Sequence, residues 1–360
     1  EYLCGTGPYV LQKYDRTDGI AVKAKNSDYR GGKQANLPEI RYIRVPDENT
    51  SYNKFIAGEI DNRATRPKEY ENKLKSEPRF QSGEVAAALY DYPAYRYIGW
   101  NMRNPIFQDK AVRQALTHAV NREFIRDKVF LGYAEIQVGP FFKGPYNSPS
   151  VQPYPFDLDE ARALLAGAGW ADANGDGVLD KVLGGVLTSM RFGLLYYADS
   201  ADFKAIAEAI QADFRRIGVK IDISAVKWEL MLQKLDNWEF DSMIMGWALD
   251  YMPDPSQLWH SKYADQKASS NYVGWKDDRT DALIEEIRRT IDPQARLPLY
   301  HRFHEILHDE QPYTWLVYTK AIASYDTRFK GVKYYDTGVR PCRDRRDWWL
   351  PKRAGIVGPR

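Results

Sequence analysis

The stretch Ser242-Met-Ile-Met-Gly-Trp-Ala-Leu-Asp-Tyr-Met-Pro-Asp-Pro255 constrains the fold more than any other. Its apolar run, Met243 to Met245, reads as a buried strand. The run ends at Gly246-Trp247, a lone carboxylate follows at Asp250, and Pro253 and Pro255 break the structure. A strand that delivers a Trp, a Tyr (Tyr251) and an acid to its C-terminal edge builds a ligand crevice in an α/β protein. The plain alternative is a strand end with a solvated turn Asp. On the first reading, Asp250 holds a ligand's positive charge beside aromatic walls.

The rest of the chain supplies the layers such a strand needs. Tyr9 to Leu11 and Ile20 to Ala24 read as strands around the turn signal Asp18-Gly19. Ile40 to Val45 alternates apolar and charged residues, as a half-buried strand does. Thr50 to Ile60 reads as a helix, and Tyr95 to Asn101 as a strand bounded by Pro93 and Pro105. From Asp109 the period becomes helical, with Val112, Ala115, Leu116, Ala119 and Val120 on one face of a helix running to Val129. A short helix over Glu160–Ala166 is capped by Asp157 or Asp159 and stopped by Gly167-Ala-Gly169. Strand Arg191–Tyr197, a helix marked by Phe203, Ile206, Ala207, Ile210 and Phe214, and strand Val219–Ile223 form a β-α-β succession. A helix over Trp228–Leu235 and the Met243 strand continue an α/β layer. Helices over Asp281–Thr290 and Ala295–His308 lead to a strand over Thr314–Tyr318, and the segment after Pro351 reads as a poorly ordered tail.

Composition bounds the function. The 360 residues, 44% apolar, suit two domains. Lys plus Arg is 51 and Asp plus Glu is 49, so the net charge of +2 gives no reason to expect nucleic acid. No apolar run approaches the ~18 residues that a spanning helix needs. The two cysteines, Cys4 and Cys342, are either bridged or two free thiols. The 25 Tyr and 10 Trp suit a wet binding interface, with core packing as the alternative for many of them.

Several motifs, in order, resemble one family, the peptide- and nickel-type extracytoplasmic solute-binding proteins of ABC importers (solute-binding protein family 5). They are Gly5-Thr-Gly-Pro-Tyr9, Asn26-Ser-Asp-Tyr29 with Gly31-Gly32, Ala57-Gly-Glu-Ile-Asp61, Val112-Arg-Gln-Ala-Leu116, Ala161 to Trp170, Ile217-Gly-Val219 and Gly246-Trp247 through Asp250-Tyr251. Arg30 departs from the family's usual Trp, and Asn121-Arg122 from its usual Asp-Arg. The family's Gly-Thr-Gly-Pro-Tyr strand follows a substantial N-terminal segment, so the resemblance implies a chain lacking the N-terminal part of lobe one. It also implies an α/β, two-lobed, periplasmic-binding-protein-like (class II) fold with a hinge and an incomplete lobe one. Lobe one would comprise residues 1–103, lobe two 104–322, and residues 323–360 would return to lobe one and end in the tail.

The same resemblance implies a function. The chain would be the substrate-binding component of an ABC importer and not an enzyme. It would capture a small solute, an oligopeptide first of all, between two lobes and deliver it to the permease subunits. It would act as a monomer in the periplasm or at the extracellular face of the membrane, made with a signal peptide in its precursor. Asp250 matches the acid that pairs with a peptide's ammonium, which needs a carboxylate once desolvated. Trp247, Trp228, Tyr95, Tyr97, Tyr251 and Tyr318 would line the same site, with core or hinge packing as the alternative for Trp228, Tyr95, Tyr97 and Tyr318. An oligosaccharide is the second ligand class, because Trp and Tyr stack on sugar faces.

Two further motifs point elsewhere. His304-Glu305-Ile-Leu-His308 is a literal H-E-x-x-H on an expected helix, the pattern of a zinc metallopeptidase. With His301 it falls on a polar stripe away from the apolar face Leu299, Phe303, Ile306 and Leu307, where it would chelate a metal at the surface. Asp172, Asn174, Asp176 and Asp180 take positions one, three, five and nine of a structural calcium loop, with Leu183 in place of the bidentate Glu. An acidic turn is the alternative. No other cofactor is expected.

Overall fold

A computed structural model describes residues 5–250, 252–334 and 346–351. Cys4, Tyr251, Cys342 and the segment after Pro351 lie outside the described residues. The strands are β1 (Tyr9–Asp15), β2 (Ile20–Lys25), β3 (Glu39–Ile43), β4 (Asn62–Thr65), β5 (Val85–Trp100), β6 (Ala134–Ile136), β7 (Asp180–Leu183), β8 (Val186–Ser189), β9 (Arg191–Tyr197), β10 (Lys220–Val226), β11 (Ser242–Ala248) and β12 (Tyr313–Asp326). The chain divides into two compact units, residues 1–92 with 320–360, and residues 93–319. The divisions between these units fall at 92/93 and 319/320, inside β5 and β12.

In the first unit, β1, β2 and β3 form an antiparallel meander. The β1–β2 turn forms because Asp15 Oδ1 accepts the amides of Thr17 and Asp18, and Gly19 takes φ +65°. Helix Glu48–Ile56 starts where Asp47 caps the Thr50 amide. It packs Tyr52 and Phe55 with Leu74 and Val85 into a small core, and β4 pairs with the far half of β12.

The second unit holds the larger sheet, in the order β10-β9-β11-β5-β12, with β6 on the outer side of β12. β10 and β11 both run parallel to β9, and β11 runs antiparallel to β5. The crossover from β9 to β10 is helix Ala201–Arg215, begun where Ser200 caps the Phe203 amide. Its buried Ile206, Ala207, Ile210 and Phe214 recur every three or four residues, so one stripe faces the sheet. Gly218, at φ +75°, ends the turn into β10.

Three of the differences from the sequence reading have a clear local cause. β5 extends back to Val85, because Pro93 holds an extended backbone and offers its carbonyl to the Leu249 amide (2.7 Å). The helix expected to run to Val129 stops at His118, because the Asn121 side chain accepts the Phe124 amide and caps a new turn. The β7–β8 hairpin was not expected. It turns at Gly184-Gly185, both with positive φ. Among the described residues no helix is long and apolar enough to cross a membrane.

Candidate functional site

The parallel strands β9, β10 and β11 end at Tyr197, Val226 and Ala248, and Trp228, Trp247 and Asp250 follow at that edge. Burial of Ser242 to Met245 fixes β11 in the sheet, and exposure returns at Gly246. Trp247 is half-buried and sits opposite Tyr95 in the β11–β5 register. Gly246 leaves the space this pairing needs, since a Cβ there would stand 3.0 Å from the Tyr95 carbonyl oxygen. Asp250 follows two residues beyond the strand. It is exposed, and its carboxylate accepts no hydrogen bond and makes no ion pair among the described residues. The segment after it is tied down, with Tyr300 Oη donating to the Pro253 carbonyl (2.6 Å) and Arg288 reaching Asp254 (3.6 Å) and Ser256 (3.3 Å).

Trp247 is held from two sides. Its Nε1 donates to Tyr313 Oη (3.4 Å), and its ring lies parallel to that of Tyr272 (centroids 6.1 Å apart, 9°). Neither tyrosine carries a sequence signal, because both come from segments remote from Trp247 in the chain. Burial pushes the Tyr313 phenol up to about 12, so it stays neutral. Trp228 opens helix Trp228–Asp236 at the same sheet edge, 41% exposed and edge-on to Tyr197 (5.7 Å). Tyr95 and Tyr97 turn into the core instead, 1% and 0% exposed, with both phenols raised well above their ordinary value by burial. Tyr318 is likewise buried, against Phe142 and hydrogen-bonded to Glu135. The structure therefore groups Asp250, Trp247 and Trp228 at one edge and places Tyr95, Tyr97 and Tyr318 in packing.

The H-E-x-x-H motif lies on helix Pro293–Glu310, as expected, and Glu305 is exposed with His301 and His308 half-buried, but His304 leaves the expected polar stripe for the interior. His304 is fully buried. Its Nδ1 accepts the Ser148 amide (2.9 Å), which leaves the proton on Nε2, facing the Val138 carbonyl (3.3 Å). No ring lone pair remains for a metal. Glu305 accepts the hydroxyls of Ser148 (2.6 Å) and Ser150 (2.9 Å), and His301 Nε2 bonds the Pro145 carbonyl (2.8 Å). The helical period alone placed these histidines opposite the apolar face. The 137–154 segment covers part of that second side and buries His304. Burial is also the main reason that His304 and His308 are lowered to about 4.

The Asp172 loop is similarly self-engaged. Asp172 Oδ1 accepts the amides of Gly175 (2.8 Å) and Asp176 (3.1 Å), and its Oδ2 accepts that of Gly177 (3.0 Å). Asn174 Oδ1 accepts the Asp176 amide (2.9 Å), and Asp176 Oδ1 that of Val178 (2.8 Å). Asp180 is buried at the start of β7 and bonds the Ser189 hydroxyl (2.6 Å). Among the described residues, no group of three or more His, Cys, Asp or Glu side chains is placed to hold a metal ion.

Comparison with known proteins places this arrangement. The oligopeptide-binding protein AppA of Bacillus subtilis is 30% identical over 355 residues, 97% of this chain and 62% of its own length. The dipeptide-binding protein of Escherichia coli is 29% identical over 315 residues, 86% of this chain and 54% of its own length. The chain thus spans less than two thirds of the curated relatives it matches. The solved structure of Bacillus subtilis AppA in complex with a nonapeptide superposes with a TM-score of 0.79 at 29% identity, covering 96% of this chain and 66% of that one. Its two-lobed α/β fold is the one expected for this chain. Residues 1–269 match the middle region of a family described by its extracellular solute binding, and the chain belongs to it: the bacterial extracellular solute-binding proteins, family 5.

Proposed function

We propose that this chain forms the peptide-holding part of an ABC importer's solute-binding component. It acts outside the cytoplasmic membrane, in the periplasm or at the extracellular face. There it captures an oligopeptide and hands it, as a monomer, to the permease subunits, without covalent chemistry. Asp250 carries the reading: an exposed carboxylate, uncommitted among the described residues, beside a fixed Trp at the C-terminal edge of parallel strands. A peptide's ammonium is the partner such a group takes, and charge-assisted pairing anchors one end of the ligand whatever its side chains. The relatives' names, oligopeptide- and dipeptide-binding, support the same ligand class.

The test is isothermal titration of the full-length protein with tri- to pentapeptides bearing a free or an acetylated amino terminus. Free-amino peptides should bind, and acetylation should weaken them about 100-fold, the effect of removing one partner of a desolvated charge pair. Equal affinity for both forms would remove Asp250 from its role. Binding of cello-oligosaccharides with no peptide binding would transfer the site to sugars.

A further inference from the structure

Trp247 has a single hydrogen-bond donor, and it points inward. Its Nε1 donates to Tyr313 Oη, and Tyr313 is completely buried. That phenol cannot follow a turning indole, because its own ring is clamped. Tyr313 stacks on Tyr97 (centroids 3.8 Å apart, 17°) and tilts against Trp259 (4.6 Å, 55°). The parallel ring of Tyr272 restricts the indole from a second direction. The part of Trp247 that remains accessible is therefore carbon, a flat apolar surface without a donor. Asp250, three residues on, supplies charge, and the indole beside it supplies none.

We infer that Tyr313 is a positioning residue that sets ligand selectivity. By retaining the indole N–H, it makes Trp247 an apolar wall, so that a peptide side chain close to the Asp250-bound ammonium is read by stacking and apolar contact. Ligands with an aromatic or aliphatic residue there are favoured over ligands with a hydrogen-bonding one. This rests on the peptide reading of Asp250 proposed above. It goes beyond that reading by naming the class of side chain and a residue that touches no ligand.

The experiment uses the full-length protein and two free-amino tripeptides, Phe-Ala-Ala and Ser-Ala-Ala. Calorimetry should show the Phe peptide bound about tenfold tighter or more, as burial of an aromatic side chain implies. In Tyr313→Phe the ratio of the two Kd values should fall at least about threefold, the size of one lost hydrogen bond. That ratio does not depend on the fraction of protein folded. The half-buried Tyr272→Leu, which removes the second restraint, should lower it as well. Nitrogen-15 spectra provide a signature that a merely structural role would not move. The Trp247 indole cross-peak, identified by its loss in Trp247→Phe, should shift in Tyr313→Phe and exchange faster with water. Equal Kd values in the wild type overturn the inference and leave the peptide reading standing. An unchanged ratio in both variants does the same. Failure of both peptides to bind overturns the two together.

Discussion

The end of β11 and the middle of helix Pro293–Glu310 carry motifs of similar chemical promise, and the protein treats them in opposite ways. On the helix, His304 has both ring nitrogens engaged by the loop that covers it, and Glu305 Oε1 and His301 Nε2 bond the same loop. At the strand end, Asp250 is exposed and no described residue engages its carboxylate. A metal at His304 would have to displace the Ser148 amide, whereas a ligand at Asp250 displaces only solvent. The difference teaches that ligand-type residues at a suggestive spacing form a site only if their polar atoms are left over. A buried polar network with its bonds made is architecture.

Acid should have the largest effect, and it acts on the helix. An unfolded imidazole takes up its proton near 6.5, whereas His304 and His308 in the fold take theirs only near about 4. Between those values the unfolded chain binds more protons, so stability falls as pH falls, and above 6.5 this contribution is constant. For His304 the full titration amounts to about 3 kcal/mol. Denaturation midpoints should drop between pH 7 and pH 4.5, and His304→Asn should flatten that slope. A wild-type profile without a slope would return the histidines to an exposed stripe. Gly139→Ala comes next. A Cβ there overlaps the His304 ring, so a loss of about 1–3 kcal/mol is expected, measured as a lower midpoint with the peptide Kd unaltered.

Asp250→Ala should do the reverse. Peptide affinity should fall about 100-fold, or about 2.8 kcal/mol at 1.4 kcal/mol per tenfold. Its thermal midpoint should stay where it was, since surface changes away from engaged groups lie within about 0.5 kcal/mol. A variant that lost stability and kept its affinity would place Asp250 among the structural residues and erase the contrast with His304.

Local periodicity made much of this fold legible. The stripe Ile206, Ala207, Ile210 and Phe214, the alternation in β10 and the apolar run of β11 each report burial through neighbours in sequence, and the structure has them as expected. Asp250 and Trp247 were legible as a strand end, and the family resemblance supplied the role proposed for them. What sequence could not show was set at a distance. Ser148 and Gly139 reach His304 from some 160 residues away, and Tyr313 and Tyr272 close on Trp247 from separate segments. Tyr95 and Tyr97 alternate into the core because helix residues such as Met231, Leu283 and Phe303 cover that face of the sheet, and a single strand does not record that.

The Asp172 loop gives the smallest effect and the finest test of the contrast. A carboxylate has about four lone-pair positions, and Asp172 uses three on the amides of Gly175, Asp176 and Gly177. Calcium binding there would have to break those bonds, and Asp180, held by the Ser189 hydroxyl through Oδ1, is buried at the start of β7. The loop therefore sides with the helix, as a self-capped turn. Asp172→Ala frees three amides, but the turn is exposed and water takes them, so the loss should be about 1 kcal/mol, as for a removed cap. Thermal midpoints of the wild type in millimolar calcium and in chelator should coincide. A calcium-dependent rise that Asp172→Ala abolished would show the amides to be only placeholders. The loop would then belong beside Asp250, as a site whose polar atoms yield to a ligand.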